Sequence, residues 1–148
     1  MAAGQVCGAV LVYLHYLPHW GRTEDAELKR AVFCTSPAIR VLPANLLSEA
    51  IGACLLVFGV LAIGANEMAK GFGPLAVALL VTGIGLSLGG PTGYAINPAR
   101  DLAPRLAHAL LPIPGKGHSD WGYALVPVLG PVLGALLGAF LYARVFGG

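Results

Sequence analysis

The chain has 148 residues, 57% of them hydrophobic and 11% charged, with a formal net charge of +2. Soluble domains carry roughly a quarter of their residues as charges, so this composition excludes a solvated globular domain and reads as an integral membrane protein. No basic stripe with interleaved aromatics points to nucleic acid, and Cys7, Cys34 and Cys54 have neither CxxC spacing nor a paired histidine motif, which argues against a disulfide framework or a metal site.

Apolar length predicts the elements in chain order. Met1-Ala2-Ala3-Gly4-Gln5 lacks the positive charge that opens a signal peptide, so the N-terminus is expected to be retained. A first span is expected over 3–17, ended by Pro18; it starts as if inside a helix and is short of the ~20 residues that cross a bilayer. A polar loop from His19 to Pro43 follows, then a span over 45–65, a turn over 66–71 and a span over 74–88. Gly89-Gly90-Pro91 ends regular helix by removing side chains and a backbone donor. Residues 98–111 have a helical pattern too short to span. A glycine-rich loop from Pro112 to Asp120 leads to the last span, 123–142, where Gly130, Gly134 and Gly138 recur every four residues. That spacing lets two helix backbones approach closely in lipid, so this face is expected to pack on another helix. Residues 1–148 thus read as one all-α, polytopic transmembrane domain.

The segment from Gly89 to Arg105 is polar and proline-broken between two apolar runs. Irregular backbone at membrane depth survives only where it is buried in protein or lines a wet cavity. Asn97 is a favoured N-cap and Pro98 fits the first helical position, so a half-helix should start there. Its N-terminal end carries roughly half a positive charge into the membrane interior, which repels cations and protons. The Asn97 amide can donate to a hydroxyl or water, while an extended Thr92–Ile96 backbone can offer carbonyl acceptors, a pairing that suits a neutral solute. Arg100 stays charged at any physiological pH and needs water or carbonyls nearby. It reads as a cationic constriction that donates to solute hydroxyls, set against an arginine that snorkels to the interface. Asp101 lies at i+4 from Asn97, on the same face, as a carboxylate stabilised by the helix dipole.

With Ile96-Asn97-Pro98-Ala99-Arg100-Asp101 and the stretch from Val126 to Phe140 in view, the chain resembles the C-terminal half of a major intrinsic protein, of the aquaglyceroporin or bacterial glycerol-facilitator branch. The resemblance implies the second inverted repeat of an aquaporin-like fold with one re-entrant half-helix. It makes Asn97, followed by Pro98 and Ala99, the pore asparagine, and Arg100 the arginine of the selectivity filter. Tyr94 stands where glycerol facilitators place an aromatic and Gly85 where they place a small residue, implying a filter wider than that of a water-only channel. Asp101 resembles the acidic residue of glycerol-conducting members. Glu49, the lone charge of its span, matches a glutamate that holds the re-entrant loop, and the cost of an unpaired carboxylate there predicts bonds to loop amides.

The implied function is passive diffusion of glycerol, other small neutral polyols and water, with no chemical step and no cofactor, in a multi-pass protein of the plasma (inner) membrane. The resemblance also implies a homotetramer in the lipid bilayer, with one pore per subunit. Members of the family carry two half-helices, and this chain has one. Ser36-Pro37-Ala38 and Leu42-Pro43-Ala44 lack an asparagine before the proline and an arginine after it, so the N-terminal half is expected to be missing and the channel incomplete.

Charge counting places Arg22, Lys29, Arg30, Arg40, Arg100, Arg105 and Lys116 on one side, with Lys70 and Arg144 on the other, which would make the first side cytoplasmic. The resemblance implies the reverse, with the loop from Pro18 to Pro43 outside; it is followed because Glu24, Asp25 and Glu27 share that loop. Two other function classes have some support in the sequence. Gly85-Leu86-Ser87-Leu88-Gly89 fits GxSxG with His108 downstream, an intramembrane serine hydrolase pattern, but inside an apolar helical run that motif lacks its strand-to-helix elbow. A non-conducting subunit could bind an anionic group at the half-helix N-terminus, favoured by Arg100 and opposed by Asp101. His15, His19, His108 and His118 are scattered and read as ordinary interface or loop residues.

Overall fold

Apolar runs in lipid become helices because the backbone must satisfy its own hydrogen bonds. A computed structural model describes residues 2–147, so Met1 and Gly148 of the expected 1–148 domain lie outside the described residues. The described residues form α1 (Ala2–His15), α2 (Leu17–Trp20), α3 (Ala26–Ala31), α4 (Leu42–Gly64), α5 (Phe72–Leu88), α6 (Pro98–Leu110) and α7 (Leu125–Phe146), with no strand among them. Helices α4 and α7, with 23 and 22 residues, reach the length and apolar character needed to cross a membrane. Their outward leucines, among them Leu47 and Leu55 on α4 and Leu133 and Leu136 on α7, are exposed. A continuous apolar surface of this kind would drive aggregation in water and calls for an apolar environment.

The fold's spine is α4 packed along α7, with α5 against α4 and α6 lying between α1 and α7. The expected glycine face of α7 makes the first of these contacts. A Cβ built on Gly134 would lie 2.1 Å from the Ala50 carbonyl oxygen, and one on Gly138 2.5 Å from that of Cys54. Only a hydrogen fits at these positions, so the two backbones run in direct contact.

Boundaries shift where capping chemistry outweighs apolar length. Helix α4 starts at Leu42 instead of 45, because Pro43 fits its first turn. The Asn45 side chain secures that turn, accepting from the Val41 amide at 3.0 Å and donating to the Ile39 carbonyl at 3.1 Å. Helix α1 stops at His15, and Pro18 lies in the first turn of α2 instead of merely ending the span.

The stretch from His19 to Pro43 is more than a polar loop. It contains α3, capped by Asp25, whose carboxylate accepts from the Glu27 amide at 2.7 Å. Trp20, Phe33 and Cys34 bury themselves there against Ala9 of α1, Ala107 of α6 and Ile113. This aromatic plug presses the loop onto α6 and buries Lys29, Arg30 and Thr35, while Arg22, Glu24, Asp25 and Glu27 stay exposed.

Candidate functional site

The re-entrant loop is shaped by one carboxylate. Glu49, fully buried on α4, accepts from the Ala95 amide through Oε1 at 3.1 Å and from the Ile96 amide through Oε2 at 2.7 Å. Successive amides can converge on one anion when neighbouring residues alternate in handedness, and here Tyr94 and Ile96 have φ of 63° and 42° on either side of Ala95. The Thr92–Ile96 backbone is therefore coiled, not extended as the sequence suggests. Pinning the amides to Glu49 on one side leaves the carbonyls to the other, and none of the carbonyls of residues 92–96 accepts a hydrogen bond from the described residues. Ile96 locks the arrangement sterically: its Cγ2 lies where a Cβ on Gly52 of α4 would be, 2.8 Å away.

Asn97 caps α6 in an extended conformation, and its Oδ1 accepts from the Ala99 amide at 2.9 Å. With Oδ1 committed to the helix, the side-chain amide group remains as a donor with no acceptor among the described residues. Pro98 occupies the first turn, where no amide hydrogen is required, and Ala99 supplies the amide that the cap satisfies. Gly85 and Tyr94 meet: a Cβ on Gly85 would lie 2.9 Å from Tyr94 Cζ, so the room that glycine leaves is filled by the ring instead of standing open to solute. The Tyr94 hydroxyl donates to the Val81 carbonyl and holds the ring across α5.

Arg100 is exposed and makes no ion pair among the described residues. It lines a groove of about 480 Å³ with Gln5, Gly8 and Val12 of α1, Phe33 and Pro104. Asp101 turns away from this face and is fully buried. It accepts from the Thr35 amide at 2.8 Å and the Thr35 hydroxyl at 2.6 Å, and pairs with Arg105, Nε to Oδ2 at 2.7 Å and Nη2 to Oδ1 at 2.8 Å. It keeps its place in the first turn of α6 beside the helix dipole, and in addition its charge is matched by Arg105 and it ties the half-helix to the loop before α4.

Arg105 and Thr35 are site residues that sequence reasoning missed. The i,i+4 spacing of Asp101 and Arg105 was visible but is the usual mark of an exposed helix pair. Lys116 was missed as well: its ammonium donates to the carbonyls of His108, Ala109 and Leu111 at 2.6 to 2.8 Å and closes the C-terminal end of α6. His108 is no interface or loop residue. It is fully buried on α6, with Nδ1 2.8 Å from the Ser119 hydroxyl. Ser87 lies within the regular turn of α5, and its hydroxyl donates to Gly83 O at 2.7 Å, so the GxSxG pattern forms no nucleophile elbow.

Comparison with known proteins places this geometry. Residues 2–142 match the sequence profile described as major intrinsic protein. The chain belongs to the major intrinsic protein family. A probable glycerol uptake facilitator protein from Thermotoga maritima is 65% identical over 127 residues, covering 86% of this chain and 54% of its own length. The glycerol uptake facilitator protein of Bacillus subtilis is 59% identical over 145 residues, covering 98% of this chain and 53% of its own length. The chain therefore spans about half the length of the curated relatives it matches. The X-ray structure of the aquaglyceroporin from Plasmodium falciparum superposes with a TM-score of 0.81, covering 99% of this chain and 62% of its own, at 22% identity; that likeness concerns the fold. As a major intrinsic protein the chain is an integral membrane protein.

Proposed function

We propose that this chain supplies the half of a passive membrane channel that carries the solute-selecting arginine, and that the channel passes glycerol and other small neutral polyols together with water. The observation that carries the reading is the polarity of the re-entrant loop. Glu49 takes its amides, its carbonyls are left as acceptors, and the Asn97 amide group and the unpaired Arg100 guanidinium stand as donors. A polyol, with hydroxyls that donate and accept, can exchange its hydration for such a lining without a chemical step. The charge of Arg100 and the N-terminal end of α6 oppose cations. Gly85 and Tyr94 form one wall, and Pro98, Ala99 and Asp101 support the pore through the cap and the buried ion pair. The names of the relatives support glycerol as the solute. A single membrane domain in the plasma membrane, with the loop between α1 and α4 outside and four subunits assembled, completes the reading.

One observation favours a second reading. The Asp101 charge that would oppose an anion is neutralised by Arg105, which leaves Arg100 free to hold an anionic group at the half-helix N-terminus in a non-conducting subunit. Stopped-flow light scattering on liposomes containing the 148-residue chain separates the two. Glycerol entry above that of empty vesicles, altered by Arg100→Ala, supports the channel. Absence of entry with verified insertion, together with saturable binding of inorganic phosphate that Arg100→Ala removes, supports the second reading and overturns the first.

A further inference from the structure

Arg105 is fully buried, and the five N–H groups of its guanidinium are all engaged. Nε and one Nη2 hydrogen go to Asp101, the other Nη2 hydrogen to the Thr35 carbonyl at 2.8 Å, and Nη1 to the carbonyls of Ser119 and Asp120 at 2.7 and 2.9 Å. Apolar side chains of equal volume can fill a buried site with no desolvation cost, so a buried ion pair is weak evidence for stability. What an arginine adds is direction, because a planar fork accepts partners at fixed angles only.

Those directions lead from Arg105 toward the solute path through contacts that can be followed one by one. Thr35 is held at three points: its carbonyl by Arg105, and its amide and hydroxyl by Asp101. The next residue, Ser36, lies against Gly93: a Cβ on Gly93 would stand 3.1 Å from the Ser36 carbonyl oxygen and 3.3 Å from its amide nitrogen. Two residues on, the Ala38 amide donates to the Pro91 carbonyl at 3.1 Å. Gly93 has φ of 79° and directly precedes Tyr94, itself left-handed and packed on Gly85. The loop over 35–38 is therefore the back wall against which the re-entrant loop over 91–94 rests, and Arg105 holds that wall to the half-helix.

We propose that Arg105 is a positioning residue for solute selection: through Thr35 and Ser36 it sets the backbone that presents Tyr94 and the loop carbonyls to the solute. The proposal rests on the channel reading above, but its structural arm can be measured without conduction. Hydrogen–deuterium exchange with peptide resolution, on the purified chain in nanodiscs, is read over 33–36 and over 89–97 for wild type, Arg105→Gln, Arg105→Lys and Thr35→Val. Glutamine cannot bridge five partners, so exchange over 89–97 rises about tenfold although Arg105 touches none of those residues. Lysine keeps the charge next to Asp101 and recovers part of the protection. Thr35→Val, which keeps the shape of the side chain and the amide bond but removes the hydroxyl bond to Asp101, gives a smaller rise.

In liposomes the same variants lower the ratio of glycerol to water permeability by up to about tenfold, in the same order. Faster exchange confined to 33–36 and 119–120, with 89–97 unchanged, overturns the proposal, and so does an unchanged permeability ratio in a conducting protein. If the wild type passes no glycerol, the channel reading fails, and the exchange over 89–97 still decides whether Arg105 positions that loop. If Arg105→Gln does not fold, Thr35→Val and Arg105→Lys decide in its place.

Discussion

Replacing Gly134 by alanine tests the helix pair on which the site is built. With the backbone as it stands, the new Cβ would lie 2.1 Å from the Ala50 carbonyl oxygen, 2.7 Å from its carbon and 2.8 Å from Ala50 Cα. Ordinary contact begins at 3.4 Å, so α7 would have to retreat by about 1.3 Å. The obstacle is backbone and has no rotamer to change. Neither can the helix bow locally, because Gly130 and Gly138 touch α4 one turn to either side, with would-be Cβ atoms 2.6 Å from Glu49 Cβ and 2.5 Å from the Cys54 carbonyl oxygen. Overpacking costs roughly 1 to 3 kcal/mol where side chains can yield, so the upper end, about 3 kcal/mol, is expected here. Gly83→Ala is the control: nothing lies within 4 Å of its Cβ, and alanine there gains roughly 1 kcal/mol of helix propensity. Thermal unfolding in one detergent, followed by circular dichroism, reads the difference. Gly134→Ala gains the same propensity, which leaves a net cost of about 2 kcal/mol; at this chain length 1 kcal/mol moves the midpoint by about 2 to 4 °C, so Gly134→Ala should unfold about 4 to 8 °C lower and Gly83→Ala no lower than wild type. Matching midpoints for Gly134→Ala and wild type would refute direct backbone contact between α4 and α7.

Glu49→Gln keeps the shape of the side chain but turns an amide group toward one of two backbone donors, leaving a buried N–H unsatisfied at a cost of roughly 1 to 3 kcal/mol. A lowered unfolding midpoint with slower glycerol entry is expected, and an unchanged midpoint would contradict the nest at Ala95 and Ile96. Burial pushes the Cys34 thiol up from 9.0 to about 11; of the smaller contributions, the Arg105 charge lowers it and the Asp101 charge raises it. At pH 8 its thiolate fraction is then about a hundredfold below that of an ordinary cysteine, so alkylation of Cys34 should lag far behind exposed Cys7 and accelerate as pH approaches 11. Because the folded-state value is raised, the stability linked to the neutral thiol is whole below pH 9 and is lost as pH rises through 11. Equal alkylation rates for the two cysteines at pH 8, read by peptide mass spectrometry on folded protein, would contradict this environment.

The elements legible in the sequence are those whose causes are local. Helix spans follow from runs of apolar side chains, the Asn97 cap from the preferences of the first helical turn, and the α7 contact from a four-residue glycine spacing, so each is contained within one segment. Glu49 was legible for a different reason: a lone carboxylate inside an apolar span must find partners, and the family resemblance implied that they lie in the re-entrant loop. The same rule applies to Asp101 and Arg105, yet it could not be used on them, because it needs the surroundings to be dry. Thr35 meets them across 66 and 70 residues of sequence, from a stretch whose charges and prolines read as solvated loop. What dries that stretch is aromatic: Trp20 and Phe33 fold back on α1 and α6, and Tyr123 lies fully buried beneath the Arg40 guanidinium, 5.4 Å from its ring center. Large aromatics inside a nominally polar connection of a membrane chain are therefore the signal that its charges are enclosed. Each enclosed charge should then be assigned a partner, as Glu49 was, before it is counted toward topology. Applied to Arg105, that rule removes it from the count of free positive charges and directs attention to the carboxylate one turn before it.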